Sequence, residues 1–416
     1  MLSRRMAWLV AIVATLTMTV NYIDRQTLSV LAPSVTKALG ISNEAYGWVV
    51  SIFSAAYLFA TPFAGWWLDR VGARRGLVWS VLAWSAVAAL HALVPGIGVL
   101  FMLRVALGIT EGPGFPGAAQ TVHRILPAHE RERGFGVLFT GSSIGAMLAP
   151  PLASLVYRQA GWRWAFLITT AAGLIWIPMW LAVTRPTAVR TRLDATTAAR
   201  SPGESRARFF TLARNPIILR ALCGVFATAP VFSFSQIWGA KYLDRMFAVA
   251  QGDVGHFLWL PPVMFDAGAV LFGDLASRQR RAEGVPPRLL FAIGALFATT
   301  LAALPVVASP WQAMFVMGIA MSGVGAVYGL VTSDMLGRIP PGSVSLAGGI
   351  LACAQSLALV VSNPIIGRMV DRLGDYDAVG IGLALWVVPG TLIWLLWRPP
   401  VRFVVRAELP SAQIAR

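Results

Sequence analysis

The 416-residue chain contains few charged residues and only two cysteines. Charged side chains make up 12% of it and hydrophobic ones 57%, whereas a soluble domain usually carries about 25% charge. This shortage of charge excludes an ordinary soluble domain and favours a protein solvated by lipid. Cys223 and Cys353 lie inside apolar runs, where they match neither a disulfide framework nor a zinc motif. We interpret both as small buried hydrophobic residues, and we expect no metal site.

Motifs for catalysis and for binding nucleic acid are missing as well. The sequence contains no P-loop, nucleophile elbow or HExxH motif, so we expect neither enzyme activity nor a cofactor. The formal net charge is +16, but the basic residues lie in short segments between apolar runs. Because no soluble basic domain is left to hold a duplex, nucleic acid is excluded as a partner.

Long apolar runs make up most of the chain. A helix that crosses the bilayer needs about 20 mostly apolar residues. We therefore predict an all-α membrane protein with twelve transmembrane helices, helix 1 to helix 12. The first run contains Asp24 and Arg25 and is too long for a cleaved signal peptide, so we expect it to be retained. The predicted helices are 6–30, 44–68, 76–94, 97–121, 134–157, 161–183, 216–240, 253–276, 287–307, 310–336, 343–366 and 377–397.

The basic residues are unevenly distributed between the two sides of these helices. If the N-terminus is cytoplasmic, most of the 34 Lys and Arg residues fall on the cytoplasmic side, which is the usual bias of membrane proteins. We predict a cell (inner) membrane protein with both termini in the cytoplasm. The polar segment 184–215 predicts a cytoplasmic linker between a bundle at 1–183 and a second at 216–400, and 401–416 a cytoplasmic tail.

The two predicted halves resemble each other. Several residues recur at one constant spacing: Gly136 with Gly349, Pro151 with Pro364, and Gly161 with Gly374. Such a duplication predicts two pseudo-symmetric six-helix bundles, with a solute site at their interface.

The segment between helices 2 and 3 carries a recognisable motif, Gly65-x-x-x-Asp69-Arg70-x-Gly72-x-Arg74-Arg75. It resembles the signature loop of the major facilitator superfamily. Its glycines allow close helix approach, and Asp69 can pair near a helix end with the arginines. The resemblance implies the twelve-helix fold of that family and a gating role for these residues.

A narrower resemblance covers nearly the whole chain. Asn21-Tyr22-Ile23-Asp24-Arg25 in helix 1 and Arg104-x-x-x-Gly108-x-x-Glu111-Gly112 in helix 4 are similar to motifs of the anion:cation symporter family. Within it, the hexuronate and related sugar-acid transporters look most similar. The resemblance implies proton-coupled uptake of a carboxylate by alternating access. Leu357 stands where several relatives have asparagine, and this departure leaves the identity of the sugar acid open.

Four charged residues fall inside helices 1 and 4: Asp24, Arg25, Arg104 and Glu111. A charge near the bilayer centre costs about 2.5–3.5 kcal/mol, so such residues pair or line a wet path. The two arginines lie at depths of about 8 and 10 Å, where they could flank one solute. We predict that Arg25 and Arg104 bind a solute carboxylate, and that Asp24 and Glu111 take up protons. Static ion pairs between the two helices are the alternative.

Asp266 lies in the middle of helix 8 without an evident basic partner. An additional proton site, a contact with a solute hydroxyl and a hydrogen-bonded structural acid all stay open for it. Neutral residues expected to contact a polyol acid, with ordinary interhelical packing as the alternative for each, are Asn21, Tyr22, Tyr57, Gln236, Trp238, Tyr328 and Gln355.

These residues predict a proton-coupled symporter of a small organic anion, such as a hexuronate or an aldonate. We expect a monomer in the lipid bilayer, with protons as the coupling ion. A carrier of a lactate-like monocarboxylate stays open, because the same arginines would serve it. A multidrug exporter of the same fold is less favoured, because Arg25 and Arg104 would repel cations.

Overall fold

The structure is a computed structural model that describes residues 2–195, 209–279, 287–340 and 343–399. Within these ranges the chain is helical, with short connections and no strand. The predicted tail at 401–416 and the centre of the predicted linker lie outside the described residues.

The first half is built from seven helices and one short helix that follows them. They are α1 (Arg4–Val30), α2 (Ala32–Leu39), α3 (Asn43–Val71), α4 (Ala73–Leu90), α5 (Ile97–Glu111), α6 (Gly114–Ile125), α7 (Arg131–Val183) and α8 (Thr187–Leu193).

The second half repeats this succession of long helices. They are α9 (Pro216–Ser233), α10 (Gly239–Phe247), α11 (Gly255–Leu258), α12 (Leu260–Arg278), α13 (Arg288–Ala298), α14 (Pro310–Leu336), α15 (Val344–Leu373) and α16 (Asp377–Leu396). A π-helix, Phe234–Trp238, joins α9 to α10, and a 3-10 helix, Thr299–Val306, continues α13.

Eleven helical stretches of the described chain are long and apolar enough to cross a membrane. One of them, α7, holds two predicted helices, and the non-helical backbone of Gly161 (φ 80°, ψ 178°) divides it. The prediction of twelve crossings in two bundles is confirmed on this count. Gly374, at the repeated position, also takes a positive φ of 80°, a conformation that glycine adopts without a steric penalty.

Helix α1, which carries Asp24 and Arg25, packs closely against α7. The hydroxyl of Thr19 donates to the carbonyl of Gly141 at 3.0 Å. A Cβ at Gly145 would lie 2.5 Å from the Thr19 carbonyl oxygen, so only glycine permits this approach. The contact fixes the height and rotation of α1 within the first half.

The first part of the predicted linker is an ordered helix. Val189 and Leu193 of α8 are fully buried in the core of the first half. Arg124 of α6 donates to the carbonyl oxygens of Leu193 and Ala195 at 3.1 and 2.6 Å. The chain therefore leaves the first half about ten residues later than the drop in hydrophobicity suggests.

The two halves are joined on the side of the bundle where α1 ends and α3 begins, which we call the Asn43 face. There, Asp371 of α15 accepts hydrogen bonds from the backbone N–H and the side-chain amide of Asn43, at 3.1 and 2.7 Å, and from the backbone N–H of Glu44 at 2.8 Å. Arg368 also forms an ion pair with Glu44. These contacts hold the start of α3 against the end of α15.

A second group of contacts joins the halves on the same face. Arg158 binds the Asp253 carboxylate and the carbonyl oxygen of Gly252. Gln251 donates to the Val30 carbonyl oxygen at 2.7 Å and accepts from the Ser34 hydroxyl at 3.1 Å. We call the opposite side, where α3 ends and α4 begins, the Asp69 face.

Candidate functional site

Arg25 of α1 and Glu111 of α5 form an ion pair inside the first half. Arg25 Nη2 and Nε lie 2.8 and 3.1 Å from the same oxygen, Glu111 Oε2, and Nη2 lies 3.3 Å from Asn21 Oδ1. The Glu111 side chain is fully buried, whereas 22% of the Arg25 side chain is exposed. Glu111 Oε1 has no hydrogen-bond partner among the described residues.

Three aromatic rings surround the Arg25 guanidinium group. Its central carbon lies 5.0 Å from the ring centroid of Tyr22, 4.9 Å from Phe53 and 4.8 Å from Tyr57. Rings at this distance attract a cation through their negative faces. Phe53, unlike the two tyrosines, was not identified from the sequence, although it precedes Tyr57 by one helical turn and so lies on the same helix face.

Arg104 of α5 is also buried, with 3% of its surface exposed. Its Nε and Nη2 have no hydrogen-bond partner in the described parts of the chain. Tyr46 and Glu111 lie close enough to act on its charge, as does the buried His91. A buried guanidinium group with free N–H groups is suited to an incoming carboxylate, because such groups are seldom left unpaired.

Asp24 of α1 is buried without a hydrogen-bond partner in the described chain, and its predicted proton role stays a prediction. It is 2% exposed, and neither carboxylate oxygen has a hydrogen-bond partner within the described residues. The indole of Trp84 lies nearby, but its nitrogen is also without a partner. Of the two ion pairs that four charges allow, only the Arg25–Glu111 pair is formed in this part of the structure.

Asp266 of α12 accepts a hydrogen bond from the Ser143 hydroxyl of α7 at 2.8 Å. The bond crosses between the two halves, and Asp266 is half-buried. Its proposed proton role stays a prediction. No group of three His, Cys, Asp or Glu side chains in the described ranges is placed to hold a metal ion.

The π-helix brings two predicted solute contacts to the junction of the halves. Gln236 accepts a hydrogen bond from Gln26 of α1 at 3.1 Å. Trp238 is fully buried, and its indole nitrogen donates to Asn363 Oδ1 at 2.9 Å. Trp238 thus has its polar atom occupied in this conformation.

Asn363 of α15 was not identified from the sequence. It is fully buried, and its Oδ1 also accepts from the Ser233 hydroxyl at 2.8 Å. The position singled out in helix 11 from the sequence, Leu357, is instead 50% exposed. A polar residue directly before Pro364 was the available signal.

Two further predicted contacts lie in the second half. Tyr328 of α14 is half-buried and close enough to Tyr22 to interact with it across the halves. Gln355 of α15 is half-buried. Their contact with a solute stays a prediction.

The motif between α3 and α4 joins these helices to α6 and α8. Asp69 accepts a hydrogen bond from Gln120 at 2.7 Å, so its partner is an amide rather than the expected arginine. Gly72 takes a φ of 85°, and a Cβ there would lie 2.9 Å from Asp194 Cα. Two of the remaining motif residues have a side-chain partner: Arg70 lies over the Trp66 ring, and Arg74 donates a hydrogen bond to the Thr184 hydroxyl. Arg75 is exposed, and a Cβ at Gly65 would meet open space.

The chain is similar in sequence to several curated transporters. The hexuronate transporter of Escherichia coli (strain K12) is 25% identical over 426 residues, which cover 98% of this chain and 96% of that protein. The D-galactonate transporter of Escherichia coli O6:H1 is 25% identical, covering 94% and 95% of the two chains. The hexuronate transporter of Bacillus subtilis (strain 168) is 25% identical, covering 88% and 89%.

Solved structures share the fold. A bacterial homolog of the human lysosomal transporter Spinster, in an inward-facing and unoccupied conformation, has a TM-score of 0.80 at 17% identity and covers 95% of this chain and 97% of its own. A POT family transporter in complex with 5-aminolevulinic acid has a TM-score of 0.76 at 14% identity, covering 94% and 96%. The profile of the Major Facilitator Superfamily matches residues 14–360. With this match over most of its length and the fold described above, the chain belongs to the Major Facilitator Superfamily and is a multi-pass membrane transporter without enzymatic activity.

Proposed function

We propose that this protein is a proton-coupled symporter of a sugar acid that works by alternating access. The observation that supports this proposal is the buried Arg25–Glu111 ion pair beside the unpaired, buried Arg104. An anion that enters between the arginines would satisfy the free N–H groups of Arg104. It would also compete with Glu111 for Arg25, since both offer a carboxylate to the same guanidinium group.

A sugar acid suits this site better than a lactate-like solute. The curated relatives named above include transporters of hexuronates and of D-galactonate. Next to Arg25, the Asn21 amide nitrogen has no hydrogen-bond partner in the described residues, and the Tyr22 and Tyr57 hydroxyls lie on the rings that surround Arg25. Such groups bind hydroxyls, which a polyol acid has in number.

The coupling step in this proposal is an exchange of partners at Arg25. While Glu111 is ionised it holds Arg25, as in the present structure. When Glu111 takes up a proton the attraction is lost, and Arg25 becomes available to the solute. Asp24 is the second proton acceptor, because a carboxylate buried without a donor is costly and a proton removes that cost.

We place the Asp69 face in the cytoplasm of the cell, at its inner membrane, because most Lys and Arg residues lie on that side. Both termini are then cytoplasmic. The hydrogen bonds at the Asn43 face close the external side, so the conformation corresponds to an inward-facing state. In this state Glu111 would lose its proton to the cytoplasm and Arg25 would release the solute.

Transport in proteoliposomes tests the proposal. Uptake of radiolabelled galactonate should increase with an imposed inward proton gradient, and glucuronate should compete while lactate and a lipophilic cation should not. Glu111→Gln should lose gradient-driven uptake but keep galactonate exchange, since an uncharged residue cannot cycle a proton. Uptake that does not depend on the proton gradient, or gradient-driven uptake that persists in Glu111→Gln, would refute the coupling role of Glu111.

A further inference from the structure

An open cavity of about 750 Å³ lies on the Asn43 face, apart from the Arg25–Glu111 site. Its wall is formed by α2, the short segment between α2 and α3, and α10, together with Tyr157 of α7 and Gln251. Lining side chains include Thr36, Lys37, Tyr157, Lys241 and Asp244. The volume lies within the range of about 300–1,000 Å³ that is typical of small-molecule sites.

Lys241 is the distinctive group in this cavity. It is half-buried, and its Nζ donates to the Thr36 hydroxyl at 2.9 Å. No carboxylate oxygen in the described parts of the chain lies within ion-pair distance of that Nζ, although Asp244 and Asp371 act on it from farther away. The partly desolvated ammonium group therefore has a neutral hydroxyl as its direct partner.

Tyr46 connects this cavity to the proposed solute site. Lys241 Nζ lies 5.4 Å from the centroid of the Tyr46 ring, and Arg104 lies close enough to the tyrosine to act on it. Tyr46 is 1% exposed, its hydroxyl donates to the Ile237 carbonyl oxygen at 3.1 Å, and its ring packs edge-on against Trp238. The buried Tyr46 side chain therefore lies next to both Lys241 in the cavity wall and the unpaired Arg104.

We propose that the cavity is a second binding site. It holds the carboxylate of the solute until the Tyr46 side chain moves aside and the solute passes to the central site. Lys241 is its anion-binding group, and the exposed Lys37 adds positive charge at the rim. Two lysines and one carboxylate, Asp244, line the wall. The other acid that acts on Lys241, Asp371, is occupied by the hydrogen bonds from the start of α3, so the local field attracts an anion. This inference rests on the proposed function, because it takes the transported solute as the ligand.

A cysteine reporter tests the site without measuring transport. In a background with Cys223→Ala and Cys353→Ala, Ile41→Cys places a thiol on the cavity wall. The reporter is reacted with two membrane-impermeant methanethiosulfonates, one anionic and one cationic, in the purified full-length protein. We expect Lys241→Gln to lower the anionic-to-cationic rate ratio several-fold and Lys241→Arg to preserve it. Arg163→Gln, which removes an exposed arginine outside the cavity wall, is the matched control and should leave the ratio unchanged.

Protection by the solute separates this site from the central one. Galactonate should slow the anionic reagent, and it should still do so when Arg104→Gln disables the proposed solute site. An unchanged rate ratio in Lys241→Gln, or protection that disappears with Arg104→Gln, would overturn the second site. Protection that persists in a protein showing no proton-driven uptake would instead contradict the proposed coupling and leave the second site standing.

Discussion

At the scale of single residues, the two buried arginines of the first half are in opposite situations. Arg25 is held by a carboxylate and three rings, whereas Arg104 has two nitrogen atoms without partners in the described residues. Arg25 is therefore suited to an exchange of partners, whereas Arg104 is suited to bind an anion without first leaving another partner. This difference leads to distinct expectations for their variants.

Arg104→Lys should weaken solute binding by about tenfold or more. Lysine keeps the charge but cannot offer a planar pair of N–H groups to a carboxylate, and a charged hydrogen bond is worth about 1.5–3 kcal/mol. The concentration of galactonate that gives half-maximal exchange measures the effect. Arg163→Lys, at an exposed position, is the control, and equal values for both variants would contradict the anchoring role of Arg104.

Phe53→Leu should loosen the ion pair without removing a charge. The substitution deletes one of three rings around Arg25, and such a contact contributes about 0.5–2 kcal/mol. We expect Arg25 to leave Glu111 more readily, so that the exchange of partners needs less acid and the pH profile of proton-driven uptake shifts to higher pH. The pH profile of uptake is the measurement, and a profile identical to that of the unsubstituted protein would exclude a role for the ring.

At the scale of helices, two contacts of α3 depend on single residues. Gly108 lets α5 approach α3 closely, and the Asp371 carboxylate of α15 accepts hydrogen bonds at the start of α3. A Cβ at Gly108 of α5 would lie 2.6 Å from the Phe53 carbonyl oxygen and 3.0 Å from the Tyr57 backbone nitrogen. The same contact that joins α3 to α5 therefore positions the rings around Arg25.

Gly108→Ala should lower the thermal stability of the protein, because overpacking against backbone atoms costs about 1–3 kcal/mol. Gly98→Ala is the matched control, since a Cβ there meets open space. Melting followed by tryptophan fluorescence in detergent measures both variants. Equal melting temperatures for the two alanine variants would show that α3 and α5 can separate at no cost.

Asp371→Asn should destabilise the closed Asn43 face. The carboxylate accepts three N–H bonds at the start of α3, where a helix favours negative charge, and the charged bonds contribute about 1.5–3 kcal/mol. Spin labels on α3 and α15 should report a larger share of molecules with this face open. Asp375→Asn, whose carboxylate accepts a bond only two residues away, should leave the distance distribution unchanged.

At the scale of the whole molecule, the succession of apolar runs was sufficient to predict twelve crossings. Each predicted run coincides with one of the eleven helical stretches or with one arm of α7. The α8 helix was missed because Val189 and Leu193 are isolated apolar residues in a basic segment, and their burial depends on a groove that only the folded first half provides. Boundaries 1–183 and 216–400 for the two bundles stay a prediction.

The site was predictable to the extent that charge reveals it. Arg25 and Glu111 are conspicuous in an apolar run, and their pairing follows from the need to neutralise a buried charge. Phe53 and Asn363 were missed, because an aromatic ring or an amide in a membrane helix has many uses and only its neighbours in space select one. The unpaired Asp24 likewise depends on the rotation of α1, which the sequence does not state.

The orientation of the molecule can be measured directly. Arg163 and Arg190 are both exposed arginines and are predicted to lie on opposite sides of the membrane. In intact cells expressing the cysteine-free background, Arg163→Cys should react with an impermeant maleimide. Arg190→Cys should react only after permeabilisation. The reverse pattern would place the Asp69 face outside the cell, and the conformation would then be outward-facing.

The unshared oxygen of Glu111 has a consequence for the order of events. Arg25 directs both of its donors to Oε2, and Oε1 carries none within the described chain. Under the proposed coupling, Oε1, which is buried in this state, would take up the proton once water reaches it, while both contacts from Arg25 to Oε2 are still intact. In the proposed mechanism Glu111 would then be neutral before Arg25 leaves it, so the separation exposes a single charge, the Arg25 cation, which the carboxylate of the incoming solute neutralises.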